Sequence, residues 1–209
     1  MSADGNYKLA GLYNFRLKVP PFSTIRRNEE QAITALIHRY ADNAQRVLEI
    51  GPGTGYYTLE LARNFREVVA VEYSAKMTEI LAPKLQAEQV QNVELINGNF
   101  LALPLEAKFD VAIAIGVLDY ISDPAAFVNK MCALARRAVI FTAPQRGFWG
   151  ACFAGSSRLF NQTKVFCYKR TDPHIWVSGW RGTVTEVGLK TPLTRGLTLV
   201  AALEPQSIP

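Results

Sequence analysis

Val47-Leu-Glu-Ile-Gly-Pro-Gly-Thr-Gly55 is the stretch of this 209-residue chain that decides its fold. Its first half is a short apolar run, as expected of a strand buried on both faces of a parallel sheet. Its second half repeats glycine at alternate positions, and glycine permits the left-handed backbone and the close ligand approach that other residues resist. A predicted helix begins directly afterwards, and ligands of open α/β sheets bind at this point, beyond the carboxyl ends of the strands.

Strand and helix patterns alternate on both sides of this stretch. Right-handed crossovers then place helices on both faces of a parallel sheet. Near the C-terminal end, two strands joined at Arg195-Gly196 predict an antiparallel edge hairpin. The predicted strands are 46–50, 67–71, 93–96, 109–115, 138–142, 189–194 and 197–203, and the predicted helices are 28–43 (capped by Asn28), 56–64, 74–85 (capped by Ser74), 123–134 and 176–187. The fold class is therefore α/β, with a doubly wound, mostly parallel seven-stranded sheet.

Length and composition predict a single domain over residues 1–209, with 49% apolar and 20% charged residues as in ordinary globular proteins. Residues 1–27 are predicted to form an N-terminal arm, and the irregular, aromatic-rich segment 145–173 a substrate lid. The net charge of +5 is mild, and no run of five or more Lys/Arg occurs, which disfavours a nucleic-acid partner. The oligomeric state is not predicted.

Cysteine usage and hydropathy predict a compartment. Cys132, Cys152 and Cys167 form no CxxC pair and have no histidine at ligand spacing, which argues against disulfides and against any metal site. No signal peptide is visible, and no apolar run reaches about 18 residues, so we expect a cytoplasmic protein without a transmembrane helix. Peripheral membrane contact through the aromatic segment 148–160 stays an alternative to a buried lid.

The ligand expected at the glycine stretch is an adenosyl group. Glu72 ends the second predicted strand, where a carboxylate accepts hydrogen bonds from both ribose hydroxyls. The third glycine of a dinucleotide fingerprint would fall on Tyr56, so the spacing opposes a nicotinamide oxidoreductase.

Four segments resemble motifs of class I S-adenosylmethionine (SAM)-dependent methyltransferases. They are Val47–Gly55, Val71-Glu-Tyr-Ser74, Asn97-Gly-Asn-Phe100 and Gly116-Val-Leu-Asp-Tyr120. The resemblance covers roughly residues 45–142 and implies the Rossmann-like methyltransferase fold with SAM as cofactor. The cofactor-binding residues that it implies are Glu49, Gly51, Gly53, Gly55, Glu72, Tyr73, Asn99, Phe100 and Gly116.

Asn99 departs from the family, which commonly has Asp at this position, facing the adenine amino group. An amide can still serve, because its oxygen accepts from that amino group and its NH₂ donates to a ring nitrogen. The alternatives are that Asn99 is only a turn residue and that Phe100 stacks on the adenine. The resemblance also places Glu49 near the amino end of the cofactor.

The reaction implied is in-line transfer of a methyl group to an acceptor, in which the protein mainly positions the nucleophile and excludes water. A small-molecule acceptor is favoured, and the layout looks distantly like methyltransferases of hydrophobic quinones or tetrapyrroles. RNA or protein methylation and a non-catalytic SAM-binding module are the alternatives. Against RNA, Leu118-Asp-Tyr-Ile121 lacks the Asp/Asn/Ser-Pro-Pro-Tyr/Phe signature of base N-methylation.

Candidate catalytic residues are few. His174 is the candidate base, whereas His38 lies mid-helix and is interpreted as a surface or core residue. Asp119 and Tyr120 follow the fourth strand, where cofactor and acceptor meet in relatives. Their alternatives are a helix cap for Asp119 and core packing for Tyr120. Tyr168 is interpreted either as a group that orients an anionic acceptor or as a solvated side chain.

Overall fold

A computed structural model describes residues 22–42, 44–146, 165–169, 171–172, 176, 182–187 and 198–205. The helices are α1 (Phe22–Ala41), α2 (Tyr56–Asn64), α3 (Ala75–Ala87) and α4 (Pro124–Leu134). The strands are β1 (Arg46–Ile50), β2 (Glu67–Glu72), β3 (Val93–Asn97), β4 (Phe109–Ala114), β5 (Ala135–Pro144), β6 (Gly182–Val187) and β7 (Thr198–Pro205), and a 3₁₀ turn covers Leu118–Tyr120.

Five parallel strands form the centre of the sheet in the order β3-β2-β1-β4-β5, which confirms the predicted doubly wound α/β core. Successive residues of each strand serve opposite faces. Leu48 and Val69 pack in one apolar cluster with α4, whereas Val47 and Val68 pack in a second with α1 and α2. Because chain order reverses direction between β1 and β4, a crevice opens at their carboxyl ends. That crevice is the place where a ligand is expected.

The C-terminal strands run against this core. β7 pairs antiparallel with β5, and β6 pairs antiparallel with β7. The prediction of a helix over 176–187 is wrong at Gly182–Val187, where Thr and Val alternate and their branched side chains favour an extended backbone. The predicted strand 189–194 and the turn at Arg195-Gly196 lie outside the described residues.

The first helix differs most from its prediction. α1 begins at Phe22, directly after Pro21, so Asn28 lies inside the helix rather than at its cap. The stretch before Glu30 has only Phe22 and Ile25 as apolar residues, too few for the periodicity on which the prediction relied, yet it contains no helix breaker. Residues 22–27 of the predicted arm are thus helical, and residues 1–21 lie outside the described part of the chain.

The α3 helix is capped as predicted. The Ser74 hydroxyl accepts a hydrogen bond from the Met77 amide at 3.4 Å, and the helix continues past Pro83 to Ala87. Among the helices that the structure describes, none is both long and apolar enough to cross a membrane.

Candidate cofactor and acceptor site

The glycine turn between β1 and α2 has three left-handed residues. Gly51, Gly53 and Gly55 have φ of 71°, 56° and 78°. A Cβ at Gly51 would lie 2.5 Å from Val117, and one at Gly55 would lie 2.2 Å from Leu81. A Cβ at Gly53 would meet no heavy atom within 4 Å. Packing therefore requires glycine at the two ends of the turn, while its middle faces open space at the carboxyl edge of the sheet.

Glu72, at the end of β2, is held against this turn. Glu72 is 7% exposed. Oε2 accepts a hydrogen bond from the Gly53 amide at 3.0 Å, and Oε1 accepts one from the Ser74 amide at 2.8 Å. A carboxylate offers about four acceptor positions, so the two amides leave capacity for further donors. Glu72 is thus oriented by main chain and able to bind a pair of hydroxyls.

Glu49, near the end of β1, is more buried, at 5% exposed, and less satisfied. Burial raises its pKa to about 7; the Thr58 side chain lowers it and the negative charge of Glu72 raises it further. Among the described residues, Glu49 Oε2 has no hydrogen-bond partner of standard geometry. Buried polar atoms are rarely left without partners, so Glu49 is a position where a ligand with a donor group gains affinity.

The turn after β3 carries Asn99 and Phe100. Asn99 is exposed, and its Oδ1 accepts a hydrogen bond from the Leu101 amide at 3.1 Å. Phe100 is 3% exposed, and its ring packs edge-on against Phe127 with 4.9 Å between centroids. To stack on the adenine, the Phe100 ring would have to leave the core, where its burial stabilises the fold by about 1.5–3 kcal/mol. The structure therefore does not support the stacking role suggested for Phe100. Tyr73, after β2, is 47% exposed.

Lys130 of α4 supports this turn from below and was not found from the sequence. Its ammonium donates to the carbonyls of Phe100 at 2.7 Å, Leu101 at 3.1 Å and Leu103 at 2.6 Å. The acceptors of Lys130 are main-chain atoms about thirty positions away in the sequence. A local sequence pattern therefore does not predict this contact.

The residues after β4 form the acceptor side. Gly116 has a φ of 69° and open space at its Cβ position, and its amide donates to Thr142 Oγ1 at 2.8 Å. Asp119 lies within the 3₁₀ turn, while α4 begins later at Pro124, so the helix-cap alternative for Asp119 is wrong. Burial raises the pKa of Asp119 to about 7. Tyr120 is 45% exposed, so it is not a core residue.

Tyr168 fastens part of the predicted lid to this turn. It is 8% exposed, and the single proton of its hydroxyl is shared between the Leu118 carbonyl, at 2.9 Å, and the Ile121 carbonyl. The Phe166 amide donates to the Asp119 carbonyl at 2.8 Å. Both sequence interpretations of Tyr168 are wrong, because the side chain is neither solvated nor free to meet an acceptor.

Of the two histidines, only His38 lies in the described part of the chain. His174 and lid residues 147–164 lie outside the described part of the chain. His38 is on the surface, where Nε2 pairs with Glu60 at 2.7 Å. No group of three or more His, Cys, Asp and Glu side chains suited to a metal ion occurs in the ranges given above.

The sheet brings the cofactor candidates to one edge. Glu49 and Glu72 lie near the ends of β1 and β2, and the other candidates follow β1, β2, β3 or β4: the glycine turn, Tyr73, Asn99, Gly116, Asp119 and Tyr120. Parallel strands end at the same edge, so these groups lie together at the edge where the topology predicts a ligand crevice.

Comparisons with known proteins agree with this arrangement. Residues 47–138 match the family model of a methyltransferase domain. A ribosomal RNA small subunit methyltransferase A of Desulforapulum autotrophicum is 44% identical over 77 residues, 36% of this chain and 27% of that protein. A magnesium-protoporphyrin O-methyltransferase of Rhodobacter capsulatus is 30% identical over 130 residues, 60% of this chain and 58% of that protein. The chain thus spans between about a quarter and three fifths of these relatives.

A solved structure matches almost end to end. The crystal structure of magnesium protoporphyrin IX methyltransferase (ChlM) from Synechocystis with bound S-adenosylhomocysteine (SAH) has a TM-score of 0.72 and 16% identity, and covers 96% of each chain. Over residues 47–138 the chain is similar to the methyltransferase domain family, as its motifs predicted, and the similar ChlM structure holds SAH, a product form of the predicted cofactor.

Proposed function

We propose that this chain binds SAM at the carboxyl edge of its sheet and transfers the methyl group to a small-molecule acceptor. The observation that carries the proposal is the Glu72 carboxylate, hydrogen-bonded to Gly53 at 3.0 Å beside the open middle of the glycine turn. When bound, SAM supplies an activated methyl group on a sulfonium. The protein then has to hold the cofactor, position the acceptor and exclude water.

The residues of the crevice suit the parts of SAM. Glu72 has acceptor capacity for the two ribose hydroxyls, and Gly53 leaves room for the ribose against the main chain. Glu49 offers an unsatisfied buried carboxylate to the ammonium of the methionine part. Asn99, exposed after β3, serves the adenine edge, with Tyr73 beside it. Gly51 and Gly55 keep the turn in shape, and Gly116 keeps the approach from the acceptor side open.

Asp119 is our candidate for moving the acceptor's proton. A general base works best when its pKa is near the working pH, and burial brings the pKa of Asp119 to about 7. The Phe166 amide anchors its main chain, and Tyr120 presents an exposed ring from the same turn. His174 stays a second candidate for the base, outside the described residues.

Size and surface favour a small, hydrophobic acceptor. The chain matches nearly the full length of ChlM, whose name gives a tetrapyrrole as acceptor, whereas the match to the ribosomal RNA methyltransferase stops at 36% of this chain. Large exposed apolar side chains gather after the strand ends of the crevice: Tyr56, Tyr73, Leu101 and Tyr120. A mild net charge of +5 gives little attraction for nucleic acid.

Calorimetry with SAH tests the cofactor site. We expect micromolar binding by the wild type, and binding at least about tenfold weaker, roughly 1.4 kcal/mol, after Glu72→Ala. Glu67→Ala is the matched control, since Glu67 begins the same strand at the opposite edge and pairs with Arg46. Equal affinity in the wild type and Glu72→Ala would remove Glu72 from the site.

Turnover needs a separate assay. Methyl transfer from labelled SAM is followed with quinones, tetrapyrroles and RNA as acceptors. Transfer to RNA alone would contradict the small-molecule proposal. Tight SAH binding without transfer to any acceptor would favour a non-catalytic module.

A further inference from the structure

We propose that Lys130 is a positioning residue that sets the affinity and the base selectivity of the cofactor site by holding the turn over residues 99–103. The inference rests on the proposed function, because it assumes that this turn faces the adenine. Lys130 itself lies on α4 and touches the turn through main-chain carbonyls, so it acts through Asn99 rather than on the cofactor.

The ammonium of Lys130 is fully used by the turn. Three N–H groups meet three carbonyls, those of Phe100, Leu101 and Leu103, at 2.6 to 3.1 Å. The same nitrogen lies 5.0 Å from the centre of the Phe100 ring. Without the ammonium, the three carbonyl oxygens would face each other without a donor and would repel each other. Each would then need a hydrogen bond from water instead. The turn would then open.

The opposite side of the turn is closed by Asn99. Its main-chain carbonyl accepts from the amides of Ala102 at 2.9 Å and Leu103 at 3.0 Å, and its Oδ1 accepts from that of Leu101. The bond to Leu101 fixes which end of the Asn99 amide is oxygen, because only the oxygen can accept. Lys130 and Asn99 together therefore give the exposed amide group one orientation.

A fixed amide distinguishes bases. Adenine presents a donor amino group beside an acceptor ring nitrogen, whereas hypoxanthine presents a carbonyl beside an N–H. An amide in one fixed orientation can pair with adenine, whereas hypoxanthine would place donor against donor and acceptor against acceptor. A site that leaves a ligand's polar groups unpaired rejects that ligand strongly. Once the turn is loose, the amide rotates to suit either base, and selectivity falls together with affinity.

The test compares two lysine variants by calorimetry. Lys130→Met keeps the length of the side chain and removes the cation. Lys108→Met is the matched control, because the Lys108 ammonium also donates to a main-chain carbonyl, that of Ala133, at the opposite edge of the sheet. Each protein is titrated with SAH and with S-inosylhomocysteine, which carries hypoxanthine in place of adenine.

We expect Lys130→Met to bind SAH about tenfold more weakly than the wild type and to lose less affinity, by about threefold or more, for the inosyl analogue. Lys108→Met should keep both affinities within about twofold. A general loss of stability would weaken both ligands equally, so the change in their ratio identifies the positioning role. Lys130→Gln, which keeps a donor on a shorter side chain, replaces Lys130→Met if the latter does not fold.

Two results would overturn these ideas in different ways. An unchanged ratio of the two affinities in folded Lys130→Met or Lys130→Gln would reject the positioning role of Lys130, whether or not SAH binding weakens, and would leave the cofactor proposal standing. Failure of the wild type to bind SAH would reject the proposed function and this inference with it.

Discussion

Single residues in the crevice differ in how well their charges are satisfied. Glu49 and Glu72 lie on neighbouring parallel strands and are both buried, at 5% and 7% exposed. Glu72 accepts two main-chain amides, whereas Glu49 leaves one oxygen without a partner among the described residues. A buried carboxylate without donors favours its neutral form, and the negative charge of Glu72 adds to that effect. The pKa of Glu49 is therefore raised to about 7.

Glu49→Gln should reduce the loss of stability at high pH. The pKa of Glu49 rises from 4.5 to about 7 on folding, so the folded protein keeps a proton that the unfolded chain releases. The corresponding stability is complete below the unfolded pKa of 4.5 and disappears as the pH rises through about 7. Gln copies the neutral acid at every pH. Between pH 4.5 and 8 the wild type should therefore lose up to about 3 kcal/mol more than the variant.

Urea unfolding at pH 4.5, 6 and 8 measures this difference. Glu67→Gln is the control, because Glu67 is only half-buried and pairs with Arg46 at the opposite edge of the sheet. Parallel stability curves for the wild type and Glu49→Gln would show that Glu49 is already ionised in the folded protein.

At the scale of the element, the glycine turn combines a packing role with a binding role. Ala at any of its three glycines costs about 1–2 kcal/mol for the left-handed backbone. Gly55→Ala adds a clash with Leu81 at 2.2 Å, typically a further 1–3 kcal/mol, whereas Gly53→Ala meets only open space. We expect Gly55→Ala to lose clearly more unfolding free energy, and folded Gly53→Ala to bind SAH at least about tenfold more weakly.

Denaturant unfolding and calorimetry on both variants separate the two roles. Equal unfolding free energies would contradict the packing role of Gly55. Unweakened SAH binding by Gly53→Ala would mean that the open space beside Gly53 does not hold the cofactor.

Elements were predicted well where they are buried on both sides. β1, β2 and β4 are apolar runs, because both faces of a parallel sheet are covered by helices, and such runs are visible in the sequence. α1 was started too late because its first turns have no apolar period, and β6 was missed because its strand character depends on pairing with β7. Pairing partners are chosen by the tertiary structure, which a local pattern does not contain.

At the scale of the whole molecule, the topology of the sheet explains which residues of the site could be predicted from the sequence. The cofactor residues from Glu49 to Gly116 lie at the end of a strand of the parallel core or directly after it, so each motif also gives its position at the edge of the sheet. The contacts of Tyr168 with Leu118 and of Lys130 with Phe100 join main-chain carbonyls to side chains 50 and 30 positions away. Neither side chain was assigned its role, because folding alone brings such partners together.

Cofactor binding should require the folded parallel core, because the site is built from several of its strands. Residues from β1 to β4 build the site, so SAH should bind the folded chain and not the unfolded one. At a hundred times its dissociation constant, SAH then stabilises the protein by about 2.7 kcal/mol, which raises the melting temperature of a chain this long by roughly 5 to 11 °C. Differential scanning calorimetry measures the shift, with Glu72→Ala at the same SAH concentration as the matched variant. NADH should leave the melting temperature unchanged, because the glycine spacing lacks the dinucleotide fingerprint. A shift with NADH and none with SAH would assign the crevice to a nicotinamide instead.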